Sequence, residues 1–442
     1  MKNITQIIFM FLFVMANSFA QQEKGIVGEE NWLSNWTEFK PNQKEYGEPT
    51  KILTGNIEEN TTLYKKEVYL LLGSVFVTNN ATLTIEAGTV IIGDYNSKGS
   101  LTISKGSTII ADGYQTDPIV FTSNRSVKRA GDWGGLTILG DAPSNKFGYG
   151  SVASFHNQVN PISNGAANYG GENVDDNSGI LRYVRIEFAG KRVKNGSYFN
   201  GLLLAGVGHE TILENIMVSY SAGNGFEIIG GNINMYNIVS YRTNSIDYNF
   251  NYGAQCSLLN SLAIRSPYVS SNNGSRCLQI LSYNKKEEVD FAKSGTYVNA
   301  KNLTFINDSK NLETDIKMNL VQESIYVGEN TSFIMSKSVI SGFNPAVILD
   351  EKITLNQTNL DRIIFNNMLF NNCNGNIFVD YNSNNEDLEN WYGNSVFFNV
   401  YSKGDNYETF IDTKNEKKPD FRLRINKIIA SNEVDPDLRI MD

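Results

Sequence analysis

Three carboxylates stand in or beside strand-like segments: Glu187 in "RIEFAG", Glu227 in "GFEIIGG" and Asp247 in "NSIDYNF". Carboxylates that share a site divide acid and base roles, and a neighbouring arginine such as Arg185 stabilises developing negative charge. If the protein acts on a glycan, these residues are the expected site, facing outward from adjoining structure. The plain alternative is a solvated acidic face. A second oxygen-rich group lies in "GGENVDDNSG", where Glu172, Asp175, Asp176 and Asn177 fall within one turn. Such side chains are the usual ligands of Ca²⁺, although their spacing differs from an EF-hand loop. A structural Ca²⁺ is the one cofactor the pattern suggests, and none is required.

Other chemistries lack their residues. The two histidines, His156 and His209, stand outside any His-Glu-x-x-His motif, which leaves zinc without a ligand set. There is no Gly-x-Ser-x-Gly elbow to present a serine nucleophile. The glycine-rich "GDWGGLTILGDAP", Gly131 to Pro143, lacks both the following helix and the Lys-Ser/Thr pair of a phosphate loop. It reads as a turn entering a strand, with Trp133 covering the edge of the core. Net charge is −9 and the lysines and arginines are scattered along the chain, so nucleic acid is not an expected ligand. Three cysteines build no disulfide framework. Cys256 and Cys277, 21 residues apart, would stack within disulfide reach if they sat one coil apart; buried free thiols are the alternative.

The elements that would carry these residues repeat. "LTIEAGTVIIG" from Leu83 and "LTISKGSTIIA" from Leu101 recur at 18 residues, and a third Leu-Thr-Ile opens at Leu136. Each unit alternates apolar and polar residues, turns at a glycine and alternates again, which predicts two short strands per period. Further on, "ENIMVSY", "YNIVSY" and "NSLAIRS" place Asn215, Asn237 and Asn260 at their corners, at steps of 22 and 23. Asparagine suits such a corner because its short amide tolerates left-handed backbone and can bond its counterpart one coil away. Periods of this length predict a solenoid in which no coil folds alone. The fold class is therefore all-β, a right-handed parallel β-helix with insert loops over about residues 51–424, its hand following the usual bias of parallel crossovers.

The flanks read differently. Residues 1–20, with Lys2 ahead of an apolar run and small residues at the end, predict a cleaved signal peptide, and hence export. No cysteine near it offers a lipid anchor, and no later apolar stretch is long enough for a direct membrane span. Residues 21–50 predict a short N-terminal cap over the first coil or an arm docked elsewhere, with Trp32 and Trp36 as candidate partner-binding residues. Residues 425–442 predict a C-terminal tail or cap.

Read in order, "FVTNNATLTIEAGTVIIG", "DPIVFTS", "GDWGGLTILGDAP", "DDNSGILRYVRIEFAG", "NGLLLAGVGHETILENIMVSYS" and "GFEIIGG" resemble a large family of exported Bacteroidota proteins, generically named and sometimes mislabelled as transporters. The resemblance implies a pectate-lyase-like β-helix at the cell surface or in the envelope, with no established reaction. Relatives in that family usually carry two Asp before Gly-Phe-Glu, where this chain has Gly223 and Asn224; their later acidic stretch is here Ser245-Ile246-Asp247-Tyr248-Asn249-Phe250. With so few acids left, the expectation is a non-catalytic binding or scaffold protein whose partners are envelope or outer-membrane proteins. The alternative is a glycan-binding or glycan-degrading protein, with Tyr220, Tyr241 or Tyr248 as sugar platforms.

Overall fold

The computed structural model describes residues 24–156, 165–194, 196–271, 274–375, 377–380 and 386–430. The expected signal peptide and residues 431–442 of the expected tail lie outside the described residues. The chain winds into a right-handed parallel β-helix whose coils each carry three strands. The first face runs from Lys51–Leu53 to Val400–Ser402, the second from Asn56–Ile57 to Phe378–Asp380, and the third from Thr61–Leu63 to Ile363–Asn366. Every strand of the coils pairs in parallel with its equivalent one coil away, as in Phe226↔Tyr248 and Tyr248↔Leu278. Alternation turns one side of each strand inward, and these side chains stack into a continuous core; Phe226 and Tyr248, for example, stack at 5.4 Å.

Three strands per coil replace the two that the early repeat suggested. Leu136, Thr137 and Ile138 do stack on Leu101, Thr102 and Ile103 of the second face. Leu83, however, lies on the third face and pairs with Ile109 and Thr61. The 18-residue recurrence thus compares strands from two faces, because every strand of a coil obeys the same inward-apolar alternation. The asparagine spacing, by contrast, measures true coils. Asn215, Asn237, Asn260, Asn302 and Asn367 all occupy the left-handed corner between third and first faces, with φ between 49° and 57°, and the Asn260 amide donates to Asn237 Oδ1 at 2.7 Å.

The N-terminal segment is an arm, not a cap. From Lys24 it runs against the coil order along the outside of the first face. Gly25 N donates to the carbonyl of Lys337, Ile26 N to Thr304 Oγ1, Val27 N to Asn260 Oδ1, and finally Thr50 N to the carbonyl of Val68. It docks there because the outward positions of the first face are themselves apolar: Met217, Val239, Leu262, Ile264, Ile306 and Val339 are covered by Ile26, Leu33, Trp36 and Phe39. The solenoid also ends sooner than expected. After Val400–Ser402 the chain leaves the coils, and Phe410–Asp412 pairs antiparallel with Asp420–Leu423 on the same apolar strip. The helix Glu386–Tyr392 closes the C-terminal end, burying Leu388 and Tyr392. No helix among the described residues is long and apolar enough to cross a membrane.

Candidate ligand-binding site

The three expected acids occupy three different places. Glu187 ends the strand Gly179–Glu187 and points out from the first face, yet it is 1% exposed because the arm covers it. Arg185 Nε lies 3.4 Å from its carboxylate, and Tyr46 Oη of the arm stands at 3.4 and 3.5 Å. Burial pushes the Glu187 carboxyl up against the opposing pull of Arg185. Asp247 sits fully buried at the corner entering the second face, paired with Arg265 Nη1 at 2.9 Å and accepting from Ser240 Oγ at 2.5 Å. Both acids are thus bound to the protein's own cations beneath its surface. The trio does not face outward together as expected, because the arm and the first-to-second-face corner enclose two of its members.

Glu227 is the least enclosed of the three, at 9% exposure, and heads a row of polar side chains. Phe226 and Ile228 point into the core, so Glu227 between them points out of the second face. Parallel register stacks Asn249 on Glu227, then Gln279 on Asn249, then Tyr326 on Gln279. The stacking yields a polar ladder across four coils. Asn224 and Asn249 both donate to Glu227 Oε2, the latter at 2.7 Å; Gln279 Nε2 donates to Asn249 Oδ1 at 3.2 Å, and Arg276 donates to Gln279 Oε1. The Arg276 guanidinium lies 4.9 Å from the Tyr326 ring centroid and pairs with Glu323. Burial pushes the Glu227 carboxyl up to about 7, with the amide donors pulling it back only in part. Beyond Asn249 the ladder opens into a cavity of about 420 Å³ lined by Arg276, Gln279, Tyr283, Tyr326, Glu329 and Asp350. Its two acids hold partners already, Glu329 with Lys286 at 2.9 Å and Asp350 with Tyr326 Oη at 2.5 Å.

The other expected residues disperse. In the turn that suggested Ca²⁺, Asp175 faces His209 Nδ1 at 2.8 Å, Asp176 accepts from Ser178 Oγ at 3.0 Å and Asn177 Oδ1 accepts from Gly179 N at 2.9 Å, while Glu172 is exposed. Among the described residues no three His, Cys, Asp or Glu side chains converge on a metal position. Cys256 and Cys277 do not stack: Cys256 lies on the third face between Ile233 and Val298, whereas Cys277 precedes the second-face strand Leu278–Ile280. Both are buried free thiols, so of the two readings the free thiols hold and the possible bridge does not form. Trp36 is fully buried and Trp32 stacks on it at 6.2 Å, so the two tryptophans fasten the arm to its own solenoid instead of facing a partner. Of the expected platforms, Tyr248 is in the core, while Tyr220 and Tyr241 are partly covered at the edge of the arm.

Trp133, expected at the edge of the core, lies wholly inside it. It stacks on Phe121 at 6.4 Å and donates to the Glu187 carbonyl at 2.7 Å. A side chain at Gly93 would strike its ring at 2.5 Å, which explains the glycine there. Gln279, Arg276 and Tyr326 went unread in the sequence, since only the register aligns them with Glu227. Counting coil by coil from the asparagine corners was the signal that could have found them.

Neither a curated protein nor a solved structure gives a match to this chain. The family described as the pectate-lyase-like β-helix domain matches residues 55–410, from the first complete coil to the C-terminal hairpin, and the chain belongs to that family.

Proposed function

We propose that the protein is a non-catalytic, glycan-binding β-helix of the cell envelope, and that the second-face ladder is its ligand surface. One observation carries this reading: Glu227, Asn249, Gln279 and Tyr326 stand in register on successive coils and lead into an open polar cavity. Side chains repeating at the strand spacing of about 4.8 Å suit a polymer lying along the solenoid axis. Amides and a half-protonated carboxyl both donate to and accept from hydroxyls, and the Tyr326 ring adds an apolar face. Acid–base hydrolysis needs two carboxyl groups flanking one bond, and Glu187 and Asp247 lie beneath the surface on other elements. The expected signal peptide and the sequence resemblance support the envelope placement. A partner-docking role for the arm loses its residues, because Trp32 and Trp36 face the solenoid.

The test is titration of the mature protein with an oligosaccharide panel, with product release followed in parallel. Gln279→Ala and Tyr326→Ala are expected to weaken binding while no product forms. Turnover abolished by Glu227→Gln would make the protein an enzyme, and unaltered binding in the two alanine variants would remove the ladder from the ligand surface.

A further inference from the structure

The lysines and arginines that look scattered in sequence are brought together at one corner. Three successive connections from the first to the second face, residues 94–99, 124–135 and, among the described residues, 188–194 and 196–201, carry Lys98; then Arg125, Lys128 and Arg129; then Lys191, Arg192 and Lys194. Register joins their coils directly, through Val120↔Val90 and Val184↔Ile119 on the first face and Leu101↔Leu136↔Leu202 on the second. The loops touch one another as well. Lys191 N donates to the Trp133 carbonyl at 2.9 Å, Lys98 Nζ reaches the Arg192 carbonyl at 3.2 Å, and the Tyr95 ring is flanked by the Arg125 guanidinium at 4.5 Å and the Lys191 ammonium at 3.1 Å from its centroid.

Seven cations share these connections with two carboxylates, and both carboxylates are committed to shaping the loops. Asp94 is buried and accepts from Ser97 and Asn124; Asp132 is buried and accepts from Ser123 Oγ, Arg129 N and Arg125. Among the described residues, Arg125 is the one member of the seven with a carboxylate partner. Partial burial lowers the pKa of Lys191; Asp132 and Asp94 oppose that shift while Lys98 and Arg125 add to it. Such a concentration in a chain of net charge −9 is a local field, not a property of the surface at large.

We propose that this corner binds the acidic groups of a polyanionic glycan, the sugar part of this assignment resting on the carbohydrate reading of the ladder. Two features favour a polymer over a single anion. The cations repeat on consecutive coils, so their rows are spaced at about the strand separation of 4.8 Å. The same corner then continues along the solenoid axis into the connections that hold Asn224 and Arg276, both members of the ladder. One extended chain thus meets cations over three coils and hydroxyl-binding amides over the next. Tyr95, between its two cations, supplies an aromatic surface within the charged stretch.

The experiment uses the mature protein, dextran sulfate as the polyanionic probe and unsulfated dextran as its neutral counterpart, at low and high salt. Dextran sulfate is expected to bind more tightly than dextran and to weaken with salt. The triple variant Lys98→Gln, Arg192→Gln, Lys194→Gln removes partly or fully exposed charges outside any ion pair, so it keeps the fold; it is expected to lose about tenfold or more in dextran sulfate affinity. Gln279→Ala separates the two readings. If it leaves oligosaccharide binding intact while the triple variant loses dextran sulfate, the ladder fails and the basic corner stands. Unchanged dextran sulfate affinity in the triple variant overturns the corner. Equal, charge-dependent binding to vesicles of anionic phospholipid, lost in the same variant, would assign the corner to a lipid surface and overturn the glycan assignment.

Discussion

Replacing Glu227 by Gln should stabilise the protein at pH 8 and leave it unchanged near pH 4.5. The Glu227 carboxyl titrates at about 7 in the folded protein against 4.5 for a free glutamate, because burial disfavours its charge. With the folded value raised, the folded state holds a proton that the unfolded chain releases. The group's contribution is therefore fully present below pH 4.5 and is lost as pH climbs through 7. A shift of that size amounts to about 3 kcal/mol across the window, at 1.36 kcal/mol for each pKa unit. Glutamine keeps the shape, accepts from Asn224 and Asn249 through its carbonyl, and has no charge to bury. Denaturant unfolding of both proteins at half-unit steps from pH 4.5 to 8.5 measures the difference directly. The wild type should fall relative to the variant between pH 5 and 7.5, with the gap near 3 kcal/mol at the top. Parallel curves over the whole range would refute the reasoning, since the carboxyl would then be ionised as freely in the folded protein as in water.

Two further substitutions address the arm. Trp36→Ala removes a fully buried indole from the seam between arm and first face, a loss of about 3–5 kcal/mol for such truncations; limited proteolysis should then cut within residues 24–50 while the coils remain intact, and an uncut arm would show that other contacts suffice. Asn260→Ala removes the bonds to Val27 N, the Val27 carbonyl and Asn237 Oδ1 at a residue with φ of 49°, which should cost about 2 kcal/mol or more. Asn260→Gly should recover the backbone part and not the hydrogen bonds, so a glycine variant that melts like the wild type would dismiss the asparagine bonds as a source of stability, and equal melting of the two variants would dismiss the backbone part.

Much of the architecture could be read along the chain. Asn215, Asn237 and Asn260 gave the true coil length because a corner needs left-handed backbone wherever it occurs, and asparagine meets that need locally. Leu83 and Leu101 misled because inward alternation looks the same on every face, so two strands per period were counted where there are three. The arm was recognised as a separate segment by composition, while its route was invisible: docking on the first face depends on outward apolar residues drawn from many coils.

The site divides in the same way. Glu227, Glu187 and Asp247 could be selected by residue type, and the likeness to β-helix proteins could be read from the order of short motifs. Whether an acid reaches solvent depends on what covers it, and for Glu187 the cover, Tyr46, comes from 141 residues earlier in the chain. The cations at 98, 125–129 and 191–194 are dispersed over a hundred positions and become one patch only when successive coils stack. Sequence by itself determined the repeat, the corners and the all-β class, since these follow from backbone preference and alternation within a few residues. Tertiary structure alone decided register, and register is what turns Glu227, Asn249, Gln279 and Tyr326 into one surface, because parallel hydrogen bonding fixes side chains from different coils a single strand spacing apart.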